Sequence, residues 1–122
     1  MIRKWMMLGL VCVGLMAPVY AVAEEGPLSF PNREGSDASA HQHNEEGIMH
    51  YNKGHFEEAL KHFRTSVKMD PHVGESHFNM AITLDKLGNH GRATRHFKKA
   101  KEFAQDRKEI LQSQILKDHI GG

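Results

Sequence analysis

This chain has a single cysteine, Cys12, and it stands inside an apolar run near the start of its 122 residues. One thiol closes no intramolecular disulfide and builds no thiolate-rich zinc site, so a stapled scaffold and a zinc-finger module are both excluded. No glycine-rich phosphate loop is present, no serine sits in a nucleophile-elbow setting, and no spacing gathers a histidine, a carboxylate and a hydroxyl. Phosphoryl and acyl transfer therefore find no support, and the chain is not read as an enzyme. No stretch alternates polar and apolar residues with period two, which argues against a sheet. Charge of one sign is also missing: 16 basic residues stand against 15 acidic ones, a formal net charge of +1. A field that would steer nucleic acid or hold an anionic membrane is absent.

The first segment is of another kind. Met1-Ile2-Arg3-Lys4 is a short basic start, Trp5 to Ala17 is apolar, and Ala21-Val22-Ala23 has the small-residue arrangement that a signal peptidase needs. Residues 1–23 are expected to be a secretory signal cleaved after Ala23, which leaves Glu24 as the mature start in the periplasm or outside the cell. An uncleaved anchor is the alternative, because Trp5 to Ala23 is nearly long enough to span a bilayer; Pro18 and the small residues favour cleavage. The membrane then enters only through this segment. Cleavage removes Cys12, Arg3 and Lys4, so 14 basic residues face 15 acidic ones and the mature charge is near −1. Leu10-Val11 lacks the small residue that a lipoprotein cleavage site would place before Cys12.

Residues 24–37 hold two prolines, two glycines and only two large apolar residues, Leu28 and Phe30. That composition predicts a flexible linker. Beyond it the spacing predicts five helices: about 38–53, opened by Asp37 or Ser39 and stopped by Gly54; about 56–69, with Phe56, Ala59, Leu60, Phe63 and Val67 on one face and Asp70-Pro71 as its end; about 74–87, closed by Gly88; about 91–104, with Ala93, Phe97, Ala100 and Phe103 on one face; and a last helix over 107–119. For that last helix Asp106 and Glu109 have capping-box spacing, and Ile110, Leu111, Ile115 and Leu116 form an apolar stripe.

Two of these stretches repeat. Gly54, Ala59 and Phe63 recur as Gly88, Ala93 and Phe97, each thirty-four residues on. The pattern resembles the tetratricopeptide repeat family through Gly47, Tyr51, Gly54, Phe56, Ala59, Phe63 and Pro71 in one copy and Ala81, Leu84, Gly88, Ala93, Phe97 and Ala100 in the other. Small residues mark close helix contacts, and the candidates are related by the repeat, Gly47 to Ala81 and Ala59 to Ala93, while Phe63 and Phe97 fill the space beside them. Glu46 and His50 stand where the family prefers leucine and an aromatic, and Gln105 replaces its closing proline. The resemblance implies an all-α fold over residues 38–120, a short α-solenoid: repeat one over about 40–73, repeat two over about 74–107, and a capping helix over about 107–119.

It also implies what the protein does. In this family the first helix of each pair lines a concave groove that holds a peptide or a partner helix. Carried over, the groove is Asn44, Ile48, Tyr51 and Asn52 from the first copy with Phe78, Asn79, Ile82 and Lys86 from the second. Apolar anchors would meet the partner's side chains, and Asn44, Asn52 and Asn79 would bond its backbone. A carboxylate clamp is not expected, since of its usual lysines and asparagines only Asn79 is in place. The expected function is an exported adaptor or assembly factor whose partner is another protein or a peptide.

Two alternatives come from other classes. Ten histidines are many for this length, which suggests a metal-binding periplasmic protein. No two of them lie at i,i+3 or i,i+4 on a helix, so neither a metal site nor a cofactor is predicted, and packing or solvated histidines are favoured. The other alternative is self-assembly, because arrays usually need about three repeats and two can reach that number by stacking across a homodimer. The basic run Arg92, Arg95, Lys98, Lys99 and Lys101 is read as a solvated outer face.

Overall fold

A computed structural model describes residues 24–32 and 34–121. The signal segment expected over residues 1–23 lies outside the described residues. Six helices follow one another: α1 (Ala38–Asn52), α2 (Phe56–Met69), α3 (Gly74–Lys86), α4 (His90–Glu102), α5 (Lys108–Leu111) and α6 (Gln114–Ile120), with no strand among the described residues.

Local chemistry sets the helix ends. The Asp37 carboxylate opens α1 by accepting from the Ser39 and Ala40 backbone N–H groups at 2.8 and 3.3 Å, which satisfies donors that the first helical turn leaves free. Gly54 and Gly88 close α1 and α3 at φ +77° and +79°. In that left-handed conformation the chain reverses while His55 N–H reaches His50 O and Asn89 N–H reaches Leu84 O, both at 2.9 Å, the hydrogen bond of a Schellman cap. Asp70, which precedes Pro71, is extended and ends α2. Asn89 opens α4 by accepting from Arg92 N–H at 3.3 Å.

α1 packs antiparallel on α2, α3 on α4, and α2 on α3, so the two hairpins stack. Repetition places equivalent residues in equivalent contacts. Ala59 and Ala93 are both fully buried, and so are Phe63 and Phe97. Gly47 is required where it stands, because a Cβ there would lie 2.5 Å from the Phe63 ring; Ala81, its counterpart, keeps its methyl in the core. α3 is the central element, buried from Gly74 to Leu84. Ser66 secures the α1–α2–α3 junction by donating to Ala40 O at 2.7 Å, with Ser76 Oγ 3.2 Å away.

The terminal cap differs from the single helix expected. Ser113 breaks it by accepting from Leu116 N–H at 3.1 Å, so α5 stops at Leu111 and α6 starts afresh. Arg107, whose side chain makes no capping hydrogen bond to the helix, takes the N-cap position of α5 instead of Asp106. Ile110 and Leu116 still bury their side chains against the core, and α6 lies on α4 with the Phe97 and His119 rings 4.8 Å apart.

Candidate functional site

The stretch read as a flexible linker is a structural element over its first part. Residues 24–30 are tied to α1, α3 and α6 by bonds that run the length of the segment. Asn79 Oδ1 accepts from the Leu28 backbone N–H at 2.6 Å, and Leu28 C=O accepts from Asn79 Nδ2 at 2.8 Å and from Asn44 Nδ2 at 3.1 Å. Asn79 Nδ2 also lies 2.8 Å from Asn44 Oδ1. The two amides are fully buried, and a buried amide without partners is costly, so the Leu28 backbone completes them as much as they hold it.

Further bonds flank this centre. Glu25 caps α6 from outside the helix: its carboxylate accepts from Gln114 N–H at 3.1 Å, Ile115 N–H at 2.8 Å and Ser113 Oγ at 3.2 Å, the placement that a helix N-terminus favours for an anion. Glu24 pairs with Lys86, and that hydrogen bond holds the lysine above its ordinary pKa. Ser29 bonds Glu45, and Ser29 O accepts from Arg107 at 3.3 Å. Phe30 is buried, edge-on to His41 with centroids 5.4 Å apart. Two large apolar residues looked too few to pack, yet both are used, because the backbone of the segment supplies the rest.

The eight residues expected to line a groove are distributed as follows. Asn44 and Asn79 meet at its centre. Ile48 and Tyr51 are half-buried against the core, and burial is the main cause that raises the Tyr51 hydroxyl above its usual pKa. Phe78 and Ile82 are each only 1% exposed, and Phe78 stands edge-to-face with Phe97 at 5.8 Å, so its work is packing between the helices. Asn52 and Lys86 are exposed at the rim beside Glu24. Beside Glu24 and Glu25 a cleft of about 520 Å³ runs between Tyr51, Ile82, Lys86 and the α6 residues Ile115 and Asp118.

Family models for the tetratricopeptide repeat match residues 40–73 and again residues 74–107. The chain belongs to the tetratricopeptide repeat family. A search of curated proteins found none that matches. The boundary between the two matched repeats falls at the Val73–Gly74 junction, where Gly74 admits α3 against the end of α4: a Cβ on it would lie 2.8 Å from Phe103 O. Tetratricopeptide repeats are protein–protein interaction modules, and the Asn44–Asn79 pair here is one contact between equivalent-face helices of successive repeats.

The repeats also gather side chains that spacing along one helix could not. His43 and Glu46 on α1 meet His62 on α2: the two Nδ1 atoms are 3.2 Å apart, and Glu46 Oε2 lies 3.0 Å from His62 Nδ1 and 3.6 Å from His43 Nδ1. In the second repeat His77 and His96 approach with Nδ1 atoms 3.1 Å apart. A third group joins Asp85 to His90 Nδ1 at 2.7 Å and His119 Nε2 at 2.9 Å. The signal that could have revealed the first two was the nineteen-residue interval between the histidines, which recurs in both copies and equals the reach of one helical hairpin.

Proposed function

We propose that the protein is an exported adaptor or assembly factor that holds an extended segment of another protein across the α1–α3 face, and that residues 24–30 occupy this face until a partner displaces them. The observation that carries the reading is the double hold on Leu28, whose N–H donates to Asn79 and whose C=O accepts from both Asn44 and Asn79. Side-chain amides that bond a main chain accept any residue that can lie extended, while the neighbouring apolar surface of Ile48 and Tyr51 selects among side chains. A partner matching the resident segment would carry acidic residues ahead of a Leu-x-Phe pair, as Glu24-Glu25-Gly26-Pro27-Leu28-Ser29-Phe30 does. Export rests on the basic, apolar and small-residue pattern of residues 1–23; the exported form should begin at Glu24 on N-terminal sequencing.

The test uses the resident segment as its own probe. A labelled peptide with the sequence of residues 24–32 is titrated into Leu28→Asp protein, in which the face is unaltered and its tethered occupant is weakened. Saturable binding is expected, at least about tenfold tighter than to the unsubstituted protein, where a tethered competitor acts at an effective concentration on the order of millimolar. An Ile48→Asp substitution added to Leu28→Asp should remove the binding. No saturable binding to folded Leu28→Asp protein contradicts the reading.

A further inference from the structure

Three side-chain atoms in the first repeat crowd one another in a way that hydrogen bonds alone do not satisfy. An imidazole Nδ1 carries at most one proton. If His62 Nδ1 donates to Glu46, it has no proton for His43; if it accepts from His43, it faces the carboxylate lone pair at 3.0 Å. If both histidines carry Nδ1 protons towards Glu46, two N–H groups crowd each other at 3.2 Å. One edge of the triangle is always unpaired or repulsive.

A cation resolves all three edges at once. The sides of the triangle are 3.0, 3.2 and 3.6 Å, so the point equidistant from the three donors lies about 1.9 Å from each. Raised about 0.7 Å out of their plane it is about 2.0 Å away, the Zn–N and Zn–O bond length, with the three donors forming one face of a tetrahedron. We propose that His43, Glu46 and His62 form a site for a borderline divalent cation, Zn²⁺ in the first instance, that joins α1 to α2 and leaves its fourth position to water or an incoming donor.

The surroundings suit this. The three side chains are 25–33% exposed, so an ion can enter and still lose most of its water. His50 stacks on His62 with centroids 5.2 Å apart and planes within 9°, which fixes the His62 ring, and its Nδ1 is buried with no hydrogen-bond partner among the described residues. The other two histidine groups lack the conflict. His77 Nε2 donates to Pro71 O at 2.7 Å, which leaves its Nδ1 bare to accept from His96, and Met80 occupies the position equivalent to Glu46. Asp85 simply accepts from two imidazoles through one oxygen.

Calorimetric titration of zinc into the exported, untagged, chelator-stripped protein should give one ion per chain with a submicromolar Kd. His62→Ala should weaken binding at least about 100-fold, Glu46→Gln about tenfold as loss of a ligand or its orientation commonly does, and His96→Ala less than twofold. Co²⁺ in place of zinc should give the intense d–d absorption of four-coordinate metal, lost in His43→Ala. Absence of saturable zinc binding to folded protein overturns the proposal. So does binding that survives in His43→Ala and His62→Ala but disappears in His119→Ala, which would move the ion to the Asp85 group.

Discussion

In the first repeat His43 faces His62 across α1 and α2; in the second, thirty-four residues on, His77 faces His96 across α3 and α4 at almost the same separation. The third member differs. Glu46, part-exposed, completes the first set, whereas its counterpart Met80 is 3% exposed and apolar. The backbone and the hairpin therefore place two imidazoles together wherever the repeat puts histidines at this interval, and a single neighbouring side chain decides what they do. With a carboxylate the three donors converge on a point. With methionine the two nitrogens satisfy each other, and burial and the neighbouring His77 hold His96 down to about 4 while burial likewise lowers His77. The same scaffold geometry carries a polar site in one copy and a packing contact in the other.

Six substitutions sharpen or break that comparison. The largest effect belongs to the core that both copies share. Phe97→Ala and Phe63→Ala should each cost about 4 kcal/mol in urea unfolding, because each empties a fully buried ring position; a tolerated truncation in one copy would show that the repeats are not mechanically equivalent. Next is the small-residue contact. Gly47→Ala should cost about 2 kcal/mol, since its methyl would press on the enclosed Phe63 ring, while Ala81→Gly should cost only about 1 kcal/mol by helix propensity and a lost methyl. Equal costs would mean that Phe63 moves freely.

The second histidine pair should be legible in acid. In the unfolded chain His96 takes a proton near pH 6.5, but in the fold it stays neutral down to about 4. Between those values the unfolded state binds more protons, so stability falls as pH is lowered through this window, on the order of 2 kcal/mol for a half-buried ring. Thermal unfolding of His96→Gln should lose that part of the acid slope, and an unchanged slope would refute the burial assignment. The smallest effect on stability belongs to Glu46→Met, which gives the first repeat the second repeat's neighbour. Less than about 1 kcal/mol should be lost in chelator, since the side chain is part-exposed, yet any rise of Tm with zinc should vanish.

How much of this was written in the residue order depends on distance along the chain. Helix ends were readable because their determinants are local: Gly54 and Gly88 need positive φ, Pro71 constrains Asp70, and Asp37 caps α1. That Gly47 is a close-contact position and Phe63 a filler followed from the repeat, while their meeting in one contact is seen only in the fold. Asn44 and Asn79 were recognisable as backbone-bonding amides, but not that Leu28 of the same chain meets them. Two prolines and two glycines describe a segment unable to form a helix or strand, and a segment bound through its main chain has the same composition as a free one. The His43–Glu46–His62 group escaped a search within single helices because the hairpin, not the helix, brings it together. The break at Ser113 was hidden by an apolar stripe that continues across it.

The central claim is that the α1–α3 face grips an extended main chain, and the most direct measurement is hydrogen–deuterium exchange resolved at the Leu28 amide. That N–H is bonded to Asn79 Oδ1 at 2.6 Å, so it should exchange at least about 100-fold more slowly than in a free peptide and lose its protection in Leu28→Asp or Asn79→Ala protein. Exchange at the free-peptide rate, in a protein whose α3 amides remain protected, would contradict the account.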